Sequence, residues 1–146
     1  MNLDRLAAKT AQTITEKFLS TSDNAEEEKK VKELENAATK ALGVLQENGV
    51  YATMLYLFAK QKDKAFSKII REELLKLLKA DEIHQMGLQI SEDILDDWLE
   101  VGKHLTEKVC QKLDHLLLIK QLWEQTLIYT RFCAKAKGEP DELESA

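Results

Sequence analysis

The stretch QENGVYATMLYLFA, residues 46–59, decides the fold because it separates two helix-forming segments. Asn48 and Gly49 tolerate left-handed backbone dihedrals, so the pair predicts the end of a helix that begins near Glu26. The run that follows, Val50 to Lys62, has apolar residues on all sides of a helical wheel. A helix of this kind usually lies at the centre of its domain. We therefore expect a helical protein organised around this segment.

Helical patterns continue in both directions from this stretch. Pro140 is the only proline, so no proline ring interrupts a helix between residues 1 and 139. Apolar residues recur at helical spacing in 3–18, 64–80, 94–101 and 106–137, and no strand-like alternation of any length occurs. The sequence predicts an all-α, single-domain bundle of five or six mostly antiparallel helices over residues 1–138. A loose acidic tail over 139–146 is expected to follow.

Several boundaries and core positions also follow from the pattern. Ser91 predicts the N-cap of a helix that carries Trp98, whose ring we expect in the core. The last helix is expected to run unbroken from Thr106 to Lys137, with its leucines toward the core. Cys110 and Cys133 would then lie on this one helix, roughly 34 Å apart, too far to bond to each other.

Composition and charge place the chain among globular proteins. It has 146 residues, 44% of them hydrophobic and 32% charged, with a formal net charge of -5. The first residues lack the apolar core of a signal peptide, and the longest apolar run is too short to cross a bilayer. Unbonded cysteines are typical of a reducing compartment. We expect a cytoplasmic protein with no membrane contact.

Few residues are arranged for catalysis or for binding a metal. The three histidines are His84, His104 and His115, and only Asp81-x-x-His84 and Glu100-x-x-x-His104 place a carboxylate at helical spacing from one of them. Metal sites in helix bundles need such motifs in pairs. No glycine-rich phosphate loop or nucleophile elbow occurs. We therefore expect a protein that is not an enzyme and has no catalytic residue, metal site or cofactor.

The basic residues are concentrated in two segments. Residues 49–80 carry seven basic and three acidic side chains, and residues 105–138 carry six and three. Cations at helical spacing could contact the phosphates of a single strand. The solvated face of any amphipathic helix shows the same pattern, and Glu72 and Glu73 interrupt it and can pair with it, so the residues alone favour a solvated face over a phosphate-binding one. The candidates for nucleic-acid binding are Lys60, Lys62, Lys64, Lys68, Arg71, Arg131 and Lys135.

Three segments resemble the small, all-helical subunit of the type III-B CRISPR effector, the Cmr complex. They are LAAK at 6–9, QENGVYA at 46–52 running into LYL at 55–57, and IYTRFCAKA at 128–136. Total length and helix order are also similar, so the likeness covers almost the whole chain. The family usually has a tryptophan shortly before the arginine of the last motif, where this chain has Tyr129.

The resemblance implies a non-catalytic structural subunit that acts in antiviral defence. Its copies would stack on one another as an inner filament and contact the guide RNA and the target RNA, and its other partners would be subunits of the same effector complex. Arg5 and Lys9 join the candidate RNA-binding residues on this basis. The acidic segment 81–104, with a net charge of -6, would meet a basic surface of the neighbouring copy.

Two alternatives remain open from the sequence. The chain is also compatible with the equivalent small subunit of the type III-A complex, which shares the helical architecture and the RNA contact. The other alternative is a helical adaptor that binds proteins through an apolar groove and makes no RNA contact.

Overall fold

The computed structural model describes residues 2–20, 27–61 and 65–138. Its five α-helices are α1 Leu3–Leu19, α2 Glu27–Lys60, α3 Ala65–Lys76, α4 Trp98–His104 and α5 Leu113–Gly138. Short 3-10 helices at Leu77–Lys79, Asp81–Met86 and Glu92–Ile94 connect α3 to α4, and a π-helical turn at Leu105–Val109 follows α4. No strand occurs in the described part of the chain. The predicted all-α bundle is confirmed.

Helix α1 begins where its sequence predicts. The Asn2 side chain accepts a hydrogen bond from the Arg5 backbone N–H at 3.0 Å and so caps the first turn. Ala7, Ile14 and Phe18 are fully buried, as their helical spacing indicates. The helix ends at Leu19, next to Ser20. Residues 21–26, which follow Ser20 in the chain, lie outside the described residues.

The predicted end of a helix at Asn48-Gly49 is confirmed, because α2 consists of two helices that meet at a kink at Gly49. Gly49 has φ +93° and ψ -173°, a conformation that is essentially restricted to glycine. Helical hydrogen bonding resumes at once, and the Thr53 hydroxyl donates to the Gly49 carbonyl at 2.8 Å. The second half of α2 buries Met54 and Leu57 but leaves Tyr51 partly exposed, so it is not surrounded by protein as its sequence suggests.

The core lies where α5 packs against α2 and α1, and Trp123 of α5 is completely buried there. Lys135 and Lys137 of α5 pair with Glu35 and Glu27 of α2, so these two helices run antiparallel. Helix α3 covers α1 and α2 on another side. Its Phe66 ring lies 4.0 Å from the Phe18 ring of α1, centroid to centroid.

Two predicted boundaries near the acidic segment are wrong. Ser91 caps only the three-residue 3-10 helix, while α4 begins later, at Trp98, where the Asp97 carboxylate accepts hydrogen bonds from two backbone N–H groups. The expected single helix from Thr106 is interrupted after the π-helical turn, and α5 starts at Leu113. Cys110 lies in this interruption, so it does not share a helix with Cys133.

The interruption also changes which leucines are buried. Leu113 and Leu117 at the start of α5 are exposed, against the prediction that they face the core. Both cysteines are unbonded and half-buried, and the acidic tail from 139 onward lies outside the described residues. Among the described helices, none contains an apolar stretch of the length that a bilayer crossing requires.

Candidate nucleic-acid interface

The end of α2 and the start of α3 bring together two of the candidate cations. Lys60 is exposed, and its Nζ lies 5.9 Å from the centroid of the Tyr56 ring one turn earlier. Lys68 is also exposed, with its Nζ 3.7 Å from a carboxylate oxygen of Glu72. An exposed ion pair of this length is weak and leaves the ammonium free to contact a phosphate. Lys62 and Lys64 lie outside the described residues.

Arg71 does not belong to this surface. Its side chain is completely buried, which corrects the prediction that it faces solvent beside Lys68. The guanidinium donates to the Gln61 side-chain oxygen at 2.8 Å, to the Leu95 carbonyl, and to the Asp96 carboxylate at 2.9 Å. A side chain held in this way cannot reach a phosphate outside the protein.

Two other parts of the chain cover Arg71, so its position on the helical wheel wrongly predicts an exposed side chain. Its guanidinium carbon lies 4.2 Å from the centroid of the Phe58 ring, so α2 covers it on one side. The segment that carries Leu95 and Asp96 covers it on the other. The Arg71 hydrogen bond lowers the pKa of the Asp96 carboxyl below its usual value, with a further contribution from the positive charge of Lys68. Arg71 therefore joins three parts of the chain.

Arg5 and Lys9 form a second cationic group on α1. They are one turn apart, both are exposed, and neither is in an ion pair with any residue that the structure describes. They line a pocket of about 250 Å³ together with Thr13 and, from the segment after α3, Glu82. This pair is accessible to an anion, although Glu82 reduces the local positive charge.

Arg131 and Lys135 contribute little free charge on α5. Lys135 pairs with Glu35 of α2 at 3.7 Å. Arg131 is half-buried, and its Nε atom is buried without a hydrogen-bond partner in the described structure. The predicted candidates therefore occupy three settings, on α1, at the α2–α3 connection, and along the contact between α2 and α5. Among the described residues, the candidates therefore do not lie on one continuous surface.

Three exposed lysines on the first half of α2 are missing from the predicted set. Lys29, Lys32 and Lys40 fall within an arc of about 80° on one helical face, and none pairs with a carboxylate among the described residues. Lys29 and Lys32 line a shallow pocket of about 350 Å³. Their spacing can be read from the sequence. Residues 26–48 have a net negative charge, however, so counting charge along the segment does not single out these lysines.

The remaining titratable groups form no recognisable catalytic arrangement in the described ranges. His104 Nε2 forms a hydrogen bond of 2.9 Å with the Leu88 carbonyl oxygen, in which the carbonyl accepts, so this nitrogen is used in holding two parts of the chain together. No group of three or more His, Cys, Asp or Glu side chains that could hold a metal ion occurs among the described residues. Burial raises the pKa of the Cys110 thiol, which lowers its thiolate fraction at neutral pH.

Comparisons with protein families, with curated proteins and with solved structures found no match to this chain.

Proposed function

We propose that this chain is a non-catalytic structural subunit of a type III-B CRISPR effector complex, in which it stacks with copies of itself and contacts guide and target RNA. The observation that carries the proposal is the location of the three segments that resemble the Cmr small subunit. They lie on α1, α2 and α5, the helices that pack together to form the core. Each segment contributes a buried residue to this core, namely Ala7, Val50 and Ala134, beside several exposed ones.

The middle segment adds a specific physical requirement. Its Gly49 adopts a positive φ within α2, so a glycine is needed there for the backbone path. The accessible cations Lys60, Lys68, Arg5 and Lys9 supply contacts for an RNA backbone. Phosphate contacts of this kind need charge and no base recognition, which suits a subunit that holds RNA of any sequence.

Copurification tests membership of the complex. A tagged copy of the chain, expressed in its native cells, should bring down a multi-subunit particle and a CRISPR guide RNA. Recovery of the chain without RNA and without other subunits would contradict the proposal. The identity of the copurifying subunits would also separate the type III-B complex from its type III-A equivalent.

The RNA contact needs a second experiment in the assembled particle. Lys60→Ala and Lys68→Ala should weaken target binding equally for all sequences, because phosphate contacts carry no sequence information. Removal of one phosphate-binding cation should flatten the salt dependence by about 0.7 in the logarithmic slope. Lys103→Ala is a matched control, since Lys103 is an exposed lysine paired with Glu100 at 3.6 Å but is not among the candidates. An unchanged slope in the Lys60 and Lys68 variants would contradict the RNA contact.

A helical adaptor is the second candidate, and exposed apolar side chains favour it. Tyr51 and Leu55 of α2 and Trp98 and Leu99 of α4 are all at least 38% exposed. Large contiguous apolar surfaces often bind other proteins. In the copurification experiment, an adaptor would bring down a protein partner but no guide RNA.

A further inference from the structure

Trp98 is unusually accessible for a tryptophan. It is 54% exposed, while Trp123, the other tryptophan of the chain, is completely buried. The position of Trp98 is nevertheless fixed, because it is the first residue of α4. The Asp97 carboxylate accepts hydrogen bonds from the Leu99 and Glu100 N–H groups at 3.1 and 3.3 Å and so holds this turn in place. Trp98 is therefore a partly exposed indole at the start of a capped helix.

A pocket of about 260 Å³ lies beside this indole. Its apolar walls come from Leu55, Phe58 and Ala59 of α2 and from Trp98, while Gln61 and Asp96 supply polar groups. Apolar and aromatic walls with a few placed polar groups are typical of small-molecule sites. The pocket therefore has the composition to receive a flat, partly polar group.

The two polar side chains are held by the buried Arg71. Its Nε donates to the Gln61 oxygen, which leaves the Gln61 amide nitrogen directed elsewhere and able to donate. Its Nη2 donates to one Asp96 oxygen, and the Asp96 carboxyl also lies within hydrogen-bond reach of the Glu72 carboxyl. The Gln61 amide, a donor, and the Asp96 carboxylate, an acceptor, therefore both line an aromatic pocket. Proteins recognise the edge of an unstacked base with such groups.

Two lysines lie near the pocket. Lys60 lies between the lining residues Ala59 and Gln61 in the chain and is exposed, and Lys68 is near enough to Asp96 to affect its titration. Asp96 is paired with Arg71 and Glu72 lies near Lys68 and Arg71, whereas the exposed Asp97 beside Trp98 is in no ion pair with a described residue. Exposed aromatic rings bordered by lysines are the usual means of binding single-stranded nucleic acid.

We propose that Trp98 stacks on one unpaired base of a single-stranded RNA, with the base edge at Gln61 and Asp96 and the flanking phosphates at Lys60 and Lys68. This inference rests on the proposed function, since it identifies the form of RNA that the α2–α3 connection binds. It goes beyond a phosphate contact, because the strand must present a base that is not stacked on its neighbours. A protein docked on the same apolar side chains is the competing occupant, and the lysines and the polar pair favour the base.

The test compares two strands that carry the same charge. One is a single-stranded oligoadenylate of about twelve nucleotides, and the other has the same phosphates with every base replaced by an abasic linker. Tryptophan fluorescence of the full-length chain should be quenched by the oligoadenylate and not by the abasic strand. The oligoadenylate should bind about 5- to 150-fold more tightly, which is the range for stacking of one base.

Three variants identify the residue responsible. Trp98→Ala should bring the two affinities together, and Trp98→Phe should keep part of the difference because the ring remains. Lys60→Ala should weaken both strands by the same factor. Phe132→Ala is the matched control, since Phe132 is also a highly exposed aromatic residue but lies on α5, and it should leave the ratio unchanged. Equal binding of the two strands by the unmodified chain, or absence of binding to both, would overturn the inference.

The proposed function can fail or survive independently of this result. Copurification with guide RNA and other subunits concerns membership of the complex and does not depend on Trp98. If the purified particle shields Trp98 from acrylamide before any target strand is added, and target binding is insensitive to Trp98→Ala, the occupant is a protein. That outcome would overturn base stacking while leaving the role in the complex intact.

Discussion

Replacing Arg71 with alanine distinguishes a buried structural arginine from a surface ligand for RNA. The structure predicts a large loss of stability, because the guanidinium is completely buried and donates to acceptors just after α2 and in the segment before α4. A surface arginine at the same position would behave differently. Its replacement would leave stability within about 0.5 kcal/mol of the unmodified chain and would weaken RNA binding instead.

The size of the decrease in the free energy of unfolding depends on how buried each acceptor of an Arg71 hydrogen bond is. The Leu95 carbonyl is buried, and leaving it without a donor costs about 1–3 kcal/mol. Gln61 is half-buried and adds a smaller cost, while the contact with the Phe58 ring at 4.2 Å is worth about 1 kcal/mol. The Asp96 side chain is 71% exposed, so water replaces Arg71 there at little cost. Together with the cavity left by the side chain, we expect a decrease of about 3–5 kcal/mol in the free energy of unfolding.

Urea denaturation followed by far-ultraviolet circular dichroism measures this quantity. Lys68→Ala is the matched control, because Lys68 is an exposed cation on the same helix, and its replacement should change the free energy of unfolding by less than about 0.5 kcal/mol. Arg71→Lys should fall between the two, since a lysine keeps the charge but cannot reach all three acceptors. A decrease below about 1 kcal/mol for Arg71→Ala would refute the burial argument.

Further predictions concern a glycine, a carboxylate and a thiol. Gly49→Ala should lower the free energy of unfolding by about 1–3 kcal/mol in chemical denaturation, because φ is +93° there. Gly43 lies in regular helix with open space around it, so Gly43→Ala should raise the free energy of unfolding by up to about 1 kcal/mol. Equal effects of the two substitutions would contradict the kink. Because the Arg71 hydrogen bond lowers the pKa of Asp96 below its usual 3.8, its stabilisation is present above that pH and is lost as the pH falls through the lowered folded value. The stability difference between the unmodified chain and Asp96→Asn should therefore shrink below about pH 4 in urea titrations, and a constant difference would argue against the pair. Burial raises the pKa of Cys110, so iodoacetamide should label it more slowly at neutral pH than it labels free cysteine, and mass spectrometry should show that urea removes the difference.

The helices were predictable because their apolar spacing depends only on local sequence. The buried positions of α1 follow its 3.6-residue period, and the left-handed conformation of Gly49 follows from the Asn-Gly pair. The break between the two halves of α2 falls at this glycine, where the sequence predicts it. What the sequence did not determine is how much of the second half is exposed, which depends on tertiary packing around α2.

The errors near the acidic segment have a different origin. Ser91 and Asp97 are both good N-cap residues, and periodicity cannot decide which one begins a helix long enough to matter. With Ser91 as the cap, Trp98 would be an interior position of the helix and would belong in the core. With Asp97 as the cap, Trp98 is at the first position of a seven-residue helix and stays more than half exposed.

The net charge of a segment is a poor predictor of which charges are accessible, because it does not say on which face of the helix each charge lies. Residues 26–48 are acidic in total, yet Lys29, Lys32 and Lys40 share one exposed face. Glu27 and Glu35 of the same helix pair with two lysines of α5, so these charges neutralise one another between helices. A sum of charge along one segment does not take such pairs into account. Accessible charge is therefore what remains after helices pair across their contacts. By that measure, Lys60 and Lys68 at the α2–α3 connection remain accessible, Lys29 and Lys32 of α2 lie beside the carboxylates of Glu28 and Glu33, and Lys135 and Lys137 of α5 are paired although residues 105–138 are basic in total.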